Sequence, residues 1–210
     1  MKLLAVVGSS RKNGNTATLI KEALKPFEKE AFDIELIYLS DYQYKDCIGC
    51  EGCKDTFKCA IKDDMQKIYP KVMEADALII GSPTYFYNMT ADMKAFLDRL
   101  YCYEVFHEED RSVWMGLNEA FGVKYAAVVA VCEQNDEKDM GYTAISMEKT
   151  LQALGYRVVD VVKALKLFSR KEAKNHEDTM IEAYNCGEKL LKTLKLREEV
   201  QKKIRFMEQL

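Results

Sequence analysis

The sequence has no surplus of positive charge, no long apolar run and almost no histidine, and each shortage closes off a class of function. Thirty-one Lys and Arg stand against 34 Asp and Glu, for a formal net charge of -3. That balance offers no basic face for nucleic acid. No apolar stretch reaches the roughly 18–20 residues that span a bilayer, so a membrane is not an expected partner. The opening MKLLAVVGSS carries one Lys and too short an apolar run for a signal peptide; it reads as a strand, and the expected compartment is the cytoplasm. The two histidines, His107 and His176, lie beside no GxSxG elbow and form no HExxH pair, which removes the usual hydrolytic centres. Internal repeats, low-complexity stretches and linkers are missing too.

What is present fits one soluble globular domain over residues 1–210, with 48% hydrophobic and 31% charged residues. Five segments read as short strands buried on both faces: Lys2–Gly8, Asp33–Leu39, Ala75–Ser82, Lys124–Cys132 and Arg157–Ala164. Helical patterns fall between them at Asn15–Glu30, Asp64–Glu74, Thr90–Tyr101 and Thr143–Leu154, and long helix closes the chain over Lys171–Leu196 and Arg197–Leu210. Phe106–Gly122 is the longest irregular piece. Strand and helix alternating five times predict an α/β fold, a flavodoxin-like doubly wound parallel sheet in the order 2-1-3-4-5 with helices on both faces. In such a sheet a ligand sits at the switch between strands 1 and 3.

Two loops flank that switch. The first, GSSRKNGNTATL from Gly8, points hydroxyls and backbone N–H groups at a helix N-terminus, a ready anion site. It is not a Walker A loop, because Asn15 and not Lys follows Gly14. Ser9, Ser10, Arg11, Asn13, Asn15 and Thr16 suit a single terminal phosphate such as that of FMN; the bland alternative is an ordinary capped helix. The second, GSPTYFYNMTADMKAFLDRL from Gly81, offers Pro83, Thr84, Tyr85, Phe86, Tyr87, Asn88 and Met89, with backbone edges and aromatic faces for a flat ring. Any single one of these aromatics reads more readily as core or as subunit contact; the pairing of the two loops across one crevice is what points to a ring.

GSSRKNGNT together with SPTYFYNMTADMKAFLDR resembles the NADPH-dependent FMN reductase and iron–sulfur flavoprotein branch of the flavodoxin-like superfamily, over Met1 to about Tyr101. The resemblance implies FMN, its phosphate on Ser9, Arg11, Asn13, Asn15 and Thr16 and its ring against Pro83, Tyr85, Phe86, Tyr87, Asn88 and Met89. A third contact, after the fourth strand, falls on Cys132, Glu133 or Gln134. It also implies dimers or tetramers with FMN near the interface, and NAD(P)H as a possible donor.

Seven cysteines are present, four of them in the loop 46–60 as C-x2-C-x2-C-x5-C: Cys47, Cys50, Cys53 and Cys59. The spacing shares the x2, x2 start of ferredoxin runs, and suits a [4Fe–4S] cluster; the last gap of five and the Ala60 in place of Pro depart from those runs. Zinc, a dithiol switch and free thiols stay open as readings. The resemblance implies the cluster, since iron–sulfur flavoproteins carry this compact pattern after strand 2. Cys102, Cys132 and Cys186 read as buried apolar residues. By topology the cysteine loop leaves the same sheet edge as the flavin crevice, so electrons could pass between them.

The chemistry is then that of a cofactor, with no catalytic side chain assigned. The expected function is an FMN-dependent redox protein passing electrons between a reduced donor and a small-molecule or ferredoxin-like acceptor, through a [4Fe–4S] cluster. The alternatives are a cluster-free NAD(P)H-dependent FMN or quinone reductase and a non-catalytic flavin-binding regulatory module.

Overall fold

The computed structural model describes residues 1–207. Its main sheet holds five parallel strands: β1 (Lys2–Val7), β2 (Asp33–Tyr38), β3 (Ala77–Pro83), β6 (Lys124–Val131) and β7 (Tyr156–Ala164). Between β3 and β6 lies a small antiparallel hairpin, β4 (Glu104–Phe106) and β5 (Trp114–Gly116). The order β2-β1-β3-β6-β7 is the expected 2-1-3-4-5 once the hairpin is set aside. The chain reverses direction across the sheet between β1 and β3, which opens the predicted crevice at their carboxyl ends.

The central strands earn their places by burial on both faces: KLLAVV of β1 is covered from Leu3 onward, and ALIIGS of β3 throughout. The edge strands differ from the expectation. DIELIY and YRVVDVVKA are only half-buried, because each carries charge at alternating or spaced positions and pairs on one side alone.

Helices α1 (Asn15–Glu28) and α6 (Glu177–Met207) cover one face, and α2 (Met65–Glu74), α3 (Ala91–Arg99) and α5 (Thr143–Ala153) the other. Leu19, Ile20, Ala23 and Phe27 of α1 meet Ala183, Cys186, Leu190 and Leu194 of α6 in the first core. Gly187 permits that approach: a Cβ there would stand 1.9 Å from the Ala23 carbonyl oxygen. Ile68, Met93, Phe96, Leu97 and Met147 fill the second core.

Two element assignments change. Phe106–Gly122 is not irregular; it contains β5 and the short helix α4 (Leu117–Phe121). Strands of three residues are too short to show alternation. The closing helix begins at Glu177, after a tight turn at Glu172–Asn175, and runs unbroken past Arg197 to Met207. The last three positions of the predicted helix, 208–210, lie outside the described residues. No helix among the described residues is long and apolar enough to cross a membrane.

Candidate flavin crevice and cysteine loop

A cavity of about 550 Å³ opens at the carboxyl ends of β1, β3 and β6, within the 300–1,000 Å³ typical of small-molecule sites. Ser9, Arg11, Gly14, Asn15 and Thr16 form one wall, and Pro83, Thr84 and Tyr85 another. Val131, Glu133 and the segment Leu167–Arg170 complete it.

The first wall has the geometry of a loop folded onto an open helix N-terminus. Ser9 Oγ accepts from the Arg11 N–H (3.3 Å), and the Arg11 carbonyl accepts from the Gly14 N–H (2.7 Å), which folds the loop back on itself. Gly14 is the N-cap of α1 and supplies no side-chain acceptor, so the first-turn N–H groups have no cap. An uncapped N-terminus with a positive dipole end attracts an anion. Arg11, exposed at the rim, has no side-chain partner among the described residues.

Asn15 lines the same wall, yet its amide is fully engaged elsewhere. Nδ2 donates to the carbonyls of Leu167 (3.1 Å) and Ser169 (2.9 Å), and Oδ1 accepts from the Ala173 N–H (3.1 Å). Asn15 therefore ties the start of α1 to the loop after β7 and holds the third wall in place. Phe168, Ser169 and Arg170 of that wall escaped the sequence reading, which carried helix from Lys171 onward and gave the loop no role. The available signal was position alone: KLFSR follows the last strand at the same sheet edge.

The second wall carries two features that an isolated fold would not select. Thr84 Oγ1 is buried without a hydrogen-bond partner, at a typical cost of about 1–3 kcal/mol for such a group. Beyond it, Tyr85 and Asn88 close a two-residue turn: the Tyr85 N–H donates to Asn88 O (2.7 Å), and the Asn88 N–H to Tyr85 O (3.2 Å). The central residues Phe86 and Tyr87 have φ of +47° and +65°. This left-handed pair is the geometry that Asn-Gly favours, not two bulky aromatics. Phe86 is 97% exposed and Tyr87 56%. The turn is held from behind by the Tyr142 N–H, which donates to Tyr87 O (2.7 Å).

Of the remaining expected contacts, Ser10 and Asn13 are exposed just outside the lining, and Asn88 turns its Oδ1 onto the Met89 N–H (2.9 Å). Met89 and Cys132 are buried in the core shared with α2, α3 and α5, behind the crevice. Glu133 is the residue of its loop that lines the cavity. Neither histidine does.

The cysteine loop leaves the carboxyl end of β2 as expected, but it does not stay at that edge. The Tyr44 hydroxyl donates to Asp92 O (2.8 Å) in the first turn of α3, whereas Cys47 shares a hollow with Leu97, Asp98 and Tyr101 at the last turn. The loop thus runs down the outside of α3, about 13 Å for nine residues. Cys53 reaches the β4–β5 hairpin, beside Val105, Phe106 and Arg111. None of the four cysteines lines the flavin crevice. The sequence could not show this, because topology fixes where a loop starts and not where a chain of more than twenty residues travels.

Cys53 lies within electrostatic reach of the other three loop thiols. Burial raises the Cys53 pKa, and Cys59, Cys47 and Cys50 add repulsion. At Cys59 burial acts upward, but Tyr69, the Ile61 N–H and Arg99 outweigh it and bring the thiol below its ordinary value. Cys102, beneath Cys53 and Cys59, is pushed up to about 12 by burial, and its isolation in the core agrees with an apolar role. The donor set of four thiols suits iron or zinc, but among the described residues no three His, Cys, Asp or Glu groups converge on one metal position. The base of the loop is firmly built and its apex, with Gly49, Gly52 and left-handed Glu51 and Phe57, is open.

Comparisons with known proteins agree with this fold. A family model described as NADPH-dependent FMN reductase matches residues 1–159. An iron–sulfur flavoprotein of Methanocaldococcus jannaschii is 43% identical over 99 residues, 47% of this chain and 51% of that one. The chain therefore aligns with about half the length of the curated relatives it matches. Among solved structures, an NADH:FMN oxidoreductase has a TM-score of 0.60 at 18% identity, covering 89% of this chain and 86% of its own. An archaeal flavodoxin has 0.52 at 19%, covering 90% and 99%. At those identities the likeness is one of fold.

Proposed function

The chain belongs to the NADPH-dependent FMN reductase family, and we propose that it is a flavin-dependent oxidoreductase that holds FMN in the crevice between β1 and β3 and passes electrons from a reduced donor to an acceptor. The observation that carries this reading is the uncapped N-terminus of α1 facing, across one cavity, a wall with an orphaned hydroxyl, from which the chain runs on into a strained aromatic turn outside the lining. Bound there, FMN supplies one- and two-electron chemistry that no side chain of the chain offers.

The residues divide the work by position. The first-turn N–H groups of α1, with Ser9, Thr16 and Arg11, hold the terminal phosphate; Ser10 and Asn13 extend that loop. Asn15 keeps the Leu167–Arg170 wall closed over it. Pro83, Thr84 and Tyr85 present backbone and hydroxyl groups to the ring edge, and the Thr84 hydroxyl gains there the partner it lacks within the chain. Phe86 and Tyr87 cover the ring or a neighbouring subunit, and their exposure together with that of Tyr142 and Ile145 fits a homodimer or homotetramer. NAD(P)H is the proposed donor.

Cys47, Cys50, Cys53 and Cys59 are proposed to take up an iron–sulfur cluster, [4Fe–4S] by their number and spacing. That reading rests on the donor set and on the name that relatives such as the Methanocaldococcus protein carry. Because the cysteines lie at the far end of α3 from the crevice, the cluster has no part in holding the flavin.

One anaerobic preparation tests both parts. Protein purified without oxygen is expected to carry FMN that NADPH or NADH bleaches, with iron and sulfide each near four per chain. FMN that neither nicotinamide reduces overturns the oxidoreductase reading with that donor. A flavin-loaded protein without iron overturns the cluster and leaves the cluster-free reductase.

A further inference from the structure

Arg99, at the last turn of α3, is the largest fully buried side chain among the described residues, with none of it exposed. A buried guanidinium persists only where its N–H groups find partners and its charge is matched. Here the base of the cysteine loop takes four of the five N–H groups and supplies the matching charge. Nη1 and Nη2 donate to the two oxygens of Asp63 (2.7 and 3.0 Å), and Nη1 also donates to the Lys45 carbonyl (2.8 Å). Nε donates to the Tyr69 hydroxyl (3.2 Å), which in turn donates to the Arg99 carbonyl (3.1 Å).

Asp63 is equally saturated. Its oxygens also accept from the Lys45 N–H (3.0 Å) and the Met65 N–H (3.1 Å). Next to it, Asp64 accepts from the Gln43 N–H (2.8 Å), and its own N–H donates to the Gln43 carbonyl (3.1 Å). Residues 43–45 and 63–65 are thereby zipped together, and all four cysteines lie in the loop this closes. Gln66 adds a brace on the outgoing arm, donating to the carbonyls of Cys59 (3.0 Å) and Ile61 (2.7 Å).

We propose that Arg99 is a positioning residue for the cysteine loop: through Asp63 and Lys45 it holds the loop shut at its base, and with Gln66 bracing the Cys59 backbone it sets the outgoing arm against which the open apex closes on a metal group. The Arg99–Asp63 pair neutralises the Asp63 carboxylate at that end of the loop. The flavin crevice shares no residue with this clamp. The proposal deepens the cluster reading above, but the state of the loop is measurable without any metal.

The test compares Arg99→Met, Arg99→Lys and the charge-neutral double variant Arg99→Met/Asp63→Asn with the native protein, all FMN-loaded. Trypsin cuts within the loop at Lys54, Lys58 and Lys62 report its closure. The expected result is cleavage about tenfold faster in Arg99→Met and partial rescue by Arg99→Lys, with FMN affinity held within twofold in each. On iron loading, uptake falls in Arg99→Met. The reduction potential of what is loaded shifts downward, because the Asp63 carboxylate now stands alone, and returns toward native in the double variant. A buried arginine serving the core alone would not reproduce that return. Unchanged cleavage overturns the proposal, as does FMN affinity falling in step with cleavage, or a potential that Arg99→Met leaves in place. Native protein that takes up no iron overturns the cluster reading only, and the cleavage rates then decide for the clamp.

Discussion

Arg11→Glu is expected to weaken FMN binding about 100-fold while leaving the thermal midpoint of the flavin-free protein unchanged. Arg11 stands at the rim of the first loop with no partner for its guanidinium among the described residues, so the fold loses nothing when it is replaced. The phosphate loses more. A hydrogen bond to a charged group contributes about 1.5–3 kcal/mol, and each 1.4 kcal/mol is tenfold in affinity. The glutamate adds repulsion, in part screened because the rim is wet. The effect therefore shrinks as salt is raised, over a Debye length of about 8 Å at physiological ionic strength. Flavin fluorescence titrations at low and high salt measure both quantities. An affinity unchanged at low salt would remove Arg11 from the site.

The second large effect pairs a gain with a loss. Replacing Phe86–Tyr87 by Asn–Gly is expected to stabilise the flavin-free protein by about 1–2 kcal/mol, because bulky residues held in the left-handed region cost on the order of 1–3 kcal/mol each. Little packing is surrendered, since Phe86 is 97% exposed, and the Tyr87 carbonyl that receives the Tyr142 N–H remains. The same change is expected to lower FMN affinity about tenfold, as aromatic contacts are worth roughly 0.5–1.5 kcal/mol each beyond the area they bury. Denaturant unfolding and flavin titration on the same variant check it. If stability and affinity fall together, the turn is a folding element and not a ligand element.

The fold was legible because its signals are local. KLLAVV, ALIIGS and AAVVAV announce buried strands by composition, and Gly8 and Gly14 bracket a loop that must turn into a helix. The crevice was legible in outline for the same reason: two of its walls follow two of those strands at the switch point. What escaped reading depends on long-range partners. Nothing near Asn15 in sequence says that its amide will bridge to Leu167, Ser169 and Ala173, so it was read as a ligand residue when its polar atoms hold a wall. The third contact was expected at Cys132, Glu133 or Gln134; strand alternation turns the Cys132 side chain to the opposite face, and Glu133 lines the cavity beside Val131. The cysteine spacing is a local signal, while the path of the loop along α3 depends on Arg99 and Asp63, 36 residues apart.

The central claim is that the uncapped end of α1 receives a phosphate, and the most direct measurement is the affinity of the flavin-free protein for FMN against riboflavin, which differ only in that group. The account predicts FMN tighter by at least 100-fold, with riboflavin indifferent to Arg11→Glu. Equal affinities for the two flavins, or a loss of riboflavin binding in that variant, would contradict it.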